Sequence, residues 1–361
     1  MKQTFLLISF SFLMTLLSQN NFAQSDSNYN SKSDLSITGF PLAFFLPETG
    51  FAFGGLGLTV FNLGKEKSWR KSQIQLGVAY TLKDQLLIFA PFELYYKQNW
   101  KINGEIGYYR YFYNFYGIGN NSREENLEFY DANYPRAITT VSYLLDEKWL
   151  AGISYRFDNF DVPNTDSLLN ALNPAGINGG ILSTLGIELG YDSRDDIFYP
   201  SSGIFGTLKI DNSSNITFSD FDYWNVLLNL SYYKQLSNNH ILAFNYQTGS
   251  QIGNSPFYNY FYLSSGKSAR GFDDRRFLDK NINLLQAEYR FPIYKRFRGA
   301  AFASLGSVAS NYGKLFENSQ QFSYGAGVRF QLSKKQLSHI RADVARSSEG
   351  FQFYVTIGEA F

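Results

Sequence analysis

Cysteine is absent, and histidine and methionine occur only twice each. Missing thiols exclude a disulfide framework, a thiolate metal site and a lipoprotein anchor on an acylated cysteine. The two imidazoles, His240 and His339, both fall near short turns, away from any Ser/Asp arrangement that could make a nucleophile and its base. No metal-ligand spacing and no phosphate-binding glycine loop is present. The sequence therefore predicts no enzyme, no cofactor and no metal. Charge is scarce as well. Asp, Glu, Lys and Arg make up 17% of residues and nearly cancel to +1, which leaves no electrostatic case for nucleic acid. What the chain has in abundance is aromatic: 27 Tyr and 35 Phe, with 30 Gly.

The first stretch reads as a targeting segment. Lys2 supplies a positive start, Phe5 to Leu17 is an apolar run shorter than a bilayer span, and polar Gln19, Asn20 and Asn21 follow. The expected division is a signal peptide at 1–23, a short periplasmic segment at 24–34 and one barrel at 35–361. Asn21 fits the small-residue rule poorly, so the cut near Ala23-Gln24 is approximate.

Beyond that segment no amphipathic helix stands out, whereas period-2 alternation is frequent. Phe322, Tyr324, Ala326, Val328, Phe330 and Leu332 face one way, and Ser323, Gly325, Gly327, Arg329 and Gln331 the other. Trp224, Val226, Leu228, Leu230 and Tyr232 form a second apolar row. The final segment sets Phe351, Phe353, Val355 and Ile357 against Gln352, Tyr354 and Thr356. Such faces suit a wall with lipid outside and water inside, although a soluble antiparallel sheet shares the period. About 16 strands are expected, near 37–45, 51–63, 71–81, 85–97, 99–113, 134–146, 148–160, 180–193, 202–212, 219–235, 239–250, 281–293, 297–310, 320–332, 337–346 and 351–360. Turns after even strands are short. Those after odd strands include the long stretches Asn114 to Asn133, Asp161 to Gly179 and Gln251 to Lys280. This asymmetry, with an even count, fits an all-β transmembrane antiparallel barrel.

Tryptophan and charge sort along the same axis. Trp69, Trp100 and Trp149 fall at inner strand ends and Trp224 at the opposite rim. Lys65, Lys67, Arg70, Lys71, Lys295, Arg296, Arg298, Lys334 and Lys335 gather at the inner turns, as a basic rim for anionic lipid or an acidic periplasmic partner. A solvated rim of snorkelling side chains is the simpler reading of the same residues. Acids such as Glu124, Glu125, Asp158 and Asp166 are assigned to outer loops.

Four segments together resemble the superfamily of the BamA and TamA outer-membrane assembly factors and two-partner secretion transporters. Ala269-Arg270-Gly271-Phe272 is similar to the family's loop motif between the eleventh and twelfth strands. Leu285 to Pro292 resembles the twelfth strand, Tyr191 to Gly203 the turn after the eighth, and Phe351 to Phe361 the closing signal strand. The resemblance implies that the loop folds inward and that Arg270, Gly271 and Phe272 latch onto the lumen acid Glu288, with Asp343 as a further partner. It also implies a C-terminal signal of Phe353, Val355, Ile357 and Phe361 read by assembly machinery. Two departures stand out. About ten residues precede the first strand, too few for the periplasmic POTRA domains of BamA and TamA, so the chain looks like a POTRA-less branch. Where the family has Phe-x-Asp-x-Gly, this chain has Phe302, Ser304 and Gly306, without the acid.

The expected role is translocation or insertion of protein or lipid at the outer membrane of a Gram-negative cell, through a seam between first and last strands. Outer-membrane lipid and a separate periplasmic protein are the expected partners. A passive porin-like channel is the alternative, distinguished by steady conductance.

Overall fold

Side chains that alternate between hydrocarbon and water require a backbone whose every polar group is paired within a sheet. The computed structural model describes residues 35–46, 50–63, 71–97, 99–331 and 339–361. The expected signal peptide and periplasmic segment lie outside the described residues, as do Lys65, Lys67, Trp69, Arg70, Lys334 and Lys335.

Sixteen strands form one antiparallel sheet, each paired with its sequence neighbours. They are β1 (Ser36–Leu46), β2 (Gly50–Phe61), β3 (Ser72–Thr81), β4 (Leu86–Tyr96), β5 (Trp100–Phe115), β6 (Glu128–Leu144), β7 (Trp149–Phe160) and β8 (Gly180–Asp192). The second half comprises β9 (Gly203–Ser213), β10 (Asp222–Ser237), β11 (His240–Asn254), β12 (Asn281–Tyr294), β13 (Phe297–Ala309), β14 (Gln321–Gln331), β15 (His339–Ser347) and β16 (Gly350–Ile357). Together they make the β-barrel wall. Among the described residues no further register joins β1 to β16.

Burial follows the alternation. Leu185, Ile187 and Leu189 on β8 are about half exposed, as are Phe322, Tyr324 and Val328 on β14, because their intended solvent is hydrocarbon. On the other face of the sheet, Glu288, Arg290, Arg329, Arg341 and Asp343 are all fully buried. Apolar residues outside and ions inside invert the arrangement of a soluble domain.

Three boundaries differ from the sequence reading. β6 begins at Glu128, paired with Phe115, rather than near 134. Its first residues keep the alternation but bury the apolar row Tyr130, Ala132 and Tyr134 and set Asp131 and Asn133 on the other face, the reverse of a lipid-facing strand. β11 continues to Asn254. β16 stops at Ile357, because Gly358 adopts φ +80° and turns the last three residues inward. Two short helices, α1 (Ser167–Leu172) and α2 (Lys314–Glu317), also interrupt outer loops that had no helical period. The first is held from a distance: Glu128 on β6 accepts the amides of Leu168 and Leu169. That capping lies 40 residues upstream, where no local signature could show it.

The loop from 255 to 280 enters the barrel. Phe261–Tyr262 pair with Leu278–Asp279 in a small ladder of their own. Phe257, Tyr258 and Tyr260 pack against Tyr130, Tyr134 and Phe160 of the wall. Deeper down, Leu263, Ala269, Phe272 and Phe277 pack on Ile282, Leu284 and Val308. The lumen thus holds a folded loop whose apolar residues pack on the wall.

Candidate functional site

Arg270 sits at the tip of that loop, 2% exposed. Its Nη1 donates to Asp343 Oδ2 at 2.6 Å and its Nη2 to Glu288 Oε2 at 2.8 Å. The guanidinium carbon lies over the Phe302 ring, 3.4 Å from its centre. One planar cation thus bridges β12 and β15 while an aromatic face covers its apolar side.

Three wall arginines complete the cluster. Arg329 donates Nη1 to Asp343 at 2.6 Å and Nη2 to Glu288 at 3.1 Å. Arg290 Nε meets Glu288 Oε1 at 2.8 Å, and Arg341 Nε lies 3.1 Å from Asp343 Oδ2. Glu359, carried inward beyond Gly358, lies 3.3 Å from Arg329 Nε. Against these four guanidiniums stand the carboxylates of Glu288, Asp343 and Glu359. Burying ions is costly unless each finds a partner; here every carboxylate has at least two cations near it. Removing any one cation therefore leaves neighbours to share its load.

The loop backbone is fastened separately. Tyr354 Oη on β16 accepts the Gly271 amide at 2.8 Å and donates to Phe272 O at 3.1 Å. Ser347 on β15 donates to Gly271 O at 2.6 Å, and Gln352 on β16 donates to Asp273 at 2.6 Å. Arg341 Nη2 reaches Gly266 O at 2.6 Å. Gly271 has φ +120°, and a Cβ there would stand 3.1 Å from Ser323 Cβ and 3.2 Å from the Arg346 backbone. Only glycine fits both demands. Lys267, on the same loop, has its ammonium pushed down to about 8 by burial, with the Arg341 charge adding to the effect.

The loop is also tied to the outer crown. Arg276 donates to the hydroxyl and carbonyl of Ser122, both at 2.7 Å, and pairs with Glu349 at 2.6 Å. Tyr116 donates to Asp273 at 2.9 Å. Asn120 in turn donates to Ser319 O at 2.7 Å, linking the loop after β5 to the loop after β13.

The remaining sequence candidates are placed as follows. Ser304 shares a 2.6 Å hydrogen bond with Ser323, and Gly306 gives room to Leu263. Phe353 and Val355 are partly covered on the face opposite Tyr354, and the Ile357 side chain lies outside the described residues. Phe361 leaves the sheet: its carbonyl accepts Arg290 Nη2 at 3.0 Å. Lys71 and Lys295 are exposed at inner turns and Arg296 is half-buried. Arg298 lies with its guanidinium over the ring of Tyr199, in the inner turn after β8, at 4.5 Å. Asp158 is likewise no outer-loop acid. It is fully buried on β7, between Arg136 and Arg156. His339, read as a turn residue, is fully buried at the base of the lumen beside Tyr199 and Glu359.

At the turn after β8, Asp195 accepts the amides of Ser201 and Ser202 and the Ser201 hydroxyl. Burial opposes its charge, but these hydrogen bonds prevail and hold the carboxyl below the usual carboxylate range.

The family description for the Omp85 superfamily domain matches residues 70–361. No curated protein matches the sequence. Among solved structures, BamA from Haemophilus ducreyi lacking POTRA domains 1–3 is similar with a TM-score of 0.62 at 15% identity, over 91% of this chain and 70% of that one. CdiB from Acinetobacter baumannii is similar with a TM-score of 0.52 at 13% identity, over 87% of this chain and 56% of that one. At such identities the likeness concerns the fold.

Proposed function

The chain belongs to the Omp85 superfamily of outer-membrane barrels, and from that premise we propose that it moves or inserts a protein or lipid client at the outer membrane. The observation that carries this reading is the bonding of the inward loop to the terminal strand. Tyr354 and Gln352 of β16 hold the backbone of Gly271 and the carboxylate of Asp273. The loop and the strand at the end of the sheet therefore move as one body or must part first.

β16 is short, at eight residues against sixteen for β10, and Gly358 ends its run. A strand edge in hydrocarbon must find backbone partners. A client strand pairing with β16, or lipid entering beside it, meets that need. In this mechanism Arg270, Glu288 and Asp343 form the latch, Phe302 supports it and Tyr354 transmits its state. Exposed Lys71 and Lys295 at the inner rim hold anionic headgroups or an acidic periplasmic partner. The C-terminal segment serves assembly of the barrel itself.

Photoreactive residues on β1 and β16 in intact cells test the proposal. Captured nascent outer-membrane protein identifies assembly or secretion, and captured lipid identifies lipid transport. Capture of neither would remove the basis for a seam. The absence of native cysteine also allows a clean disulfide between engineered cysteines on β1 and β16, and locking that seam should abolish activity. A passive porin-like channel fits poorly with a lumen packed by Phe257, Phe272 and Phe277, and a large steady conductance would favour it instead.

A further inference from the structure

The outer loop after β13 leaves the crown and lies down on the outside of the wall. On β11 the outward row is Phe244, Tyr246, Thr248, Ser250 and Ile252. Phe244 and Ile252 are 36% and 64% exposed, whereas Ala243, Asn245 and Gln251 on the opposite face are buried. Ile252 pairs with Trp224 of β10, itself half exposed. From Phe244 to Ile252 the row covers about 27 Å of strand, which after tilt fits an apolar band about 25 Å tall. Thr248, four residues below Ile252, therefore lies at acyl-chain depth.

A hydroxyl at that depth needs a partner that hydrocarbon cannot supply. Thr248 pairs across the sheet with Asn283 and Asn283 with Ser307, while Ser250 pairs with Asn281. These residues make a polar window in the outward faces of β11, β12 and β13, next to the exposed Leu285 and Leu305. The loop closes it. Tyr312 Oη meets Thr248 Oγ1 at 2.9 Å, and Ser307 Oγ donates to Leu315 O at 2.7 Å. Asn318 donates to Val308 O at 3.1 Å. Leu315 of α2 is fully buried, and so are Ser307 and Asn281 beneath the loop. What the loop turns away from the wall is aromatic. Tyr312 meets Phe316 edge to face at 6.2 Å, and the two rings are 42% and 64% exposed.

We propose that the loop after β13 is seated in the outer leaflet, where Tyr312 and Phe316 contact lipid acyl chains and α2 shields the polar window from them. The occupant is lipid because the two rings continue a surface, formed by Ile252, Leu285 and Leu305, that hydrocarbon already covers. Without the loop, Thr248, Asn283 and Ser307 would face that hydrocarbon unpaired. The seating holds whatever client the barrel moves.

The cysteine-free chain lets single probes report on it. A nitrobenzoxadiazole label on Phe316→Cys, in phosphatidylethanolamine–phosphatidylglycerol vesicles with iodide on both sides, is compared with the same label on Glu125→Cys, exposed in the crown. The label at 316 should be quenched about threefold or more strongly by spin-labelled acyl chains, and about fivefold or more weakly by iodide, than the label at 125. Equal iodide quenching at both positions would put the loop in water and overturn the proposal. Shielding from iodide without acyl-chain quenching would overturn it too, because protein and not lipid would then cover the rings. Leu315→Asp puts a charge where the loop meets the wall and should return the 316 label to iodide, with the heat-dependent gel shift of the barrel retained. A label indifferent to that change would overturn the seating on the wall, and the comparison of 316 with 125 decides by itself if the variant fails to fold.

Discussion

Arg270 and Asp343 are 73 residues apart in the chain and meet at 2.6 Å inside the lumen. The contact closes a ring that begins on β12, crosses the loop and ends on β15. Arg270→Ala removes the one member of the ring that is not on the wall. Because Arg329, Arg290 and Arg341 remain to neutralise Glu288 and Asp343, the cost should be on the order of 1–3 kcal/mol in loop docking and small in the barrel. Limited proteolysis should cut between β11 and β12, and channel conductance should rise. A loop that stays uncut and a lumen that stays silent would count against the latch.

Ser304 occupies the position where the family's motif carries an acid, and here Asp343 receives the Arg270 charge instead. Restoring the acid should therefore harm the protein. Ser304 is 6% exposed, and its polar partner is the Ser323 hydroxyl. Ser304→Asp should destabilise by on the order of 3 kcal/mol, since a buried carboxylate would lack a cation of its own. Heat-induced unfolding in detergent measures it, and a gain in stability would show that a guanidinium still reaches this site.

Lys267 makes loop docking depend on pH. Its pKa is about 8 when docked and near the ordinary lysine value when released. The docked state thus binds fewer protons between those values, so docking strengthens as pH rises above about 8 and reaches a flat minimum below it. Loop cleavage should slow by up to about tenfold per pH unit in that window. Lys267→Met should abolish the slope relative to the unmodified chain, and an equal slope in both would dissociate Lys267 from the effect.

Trp100 and Trp149 rest on Tyr143 and Tyr191 with ring centres 5.0 and 4.8 Å apart, and both indoles are over 40% exposed at the inner ends of their strands. In variants keeping a single tryptophan, each should be quenched more by bromine placed shallow in the acyl chains than by bromine at the bilayer centre. Equal quenching at both depths would mean that the strands cross at another height.

Much of this architecture was legible because lipid on one side and water on the other impose a period of two. That period gave the sheet and its inward Glu288, Arg290 and Arg329. It misled where the inward face is apolar and packs on the loop, as at Tyr130, Ala132 and Tyr134 at the start of β6. The site was readable at Arg270 through its motif, and at Glu288 through alternation. Alternation turned Tyr354 inward without giving its role, and Arg341 and Ser347 were not singled out, since all three act where the loop tip comes to rest. Glu359 was missed for a related reason: a glycine at 358 reads equally as a weak point in a strand or as a left-handed turn, and the ion waiting across the lumen decides between them.

The Ser122–Arg276 fastening has a consequence at the far end of the sheet. The inward loop that Arg276 fastens to Ser122 is the same loop whose Gly271 amide Tyr354 accepts, so the loop after β5 and the last strand are joined through one segment. A displacement of the loop after β5 therefore reaches the end of the sheet without passing through the ion cluster.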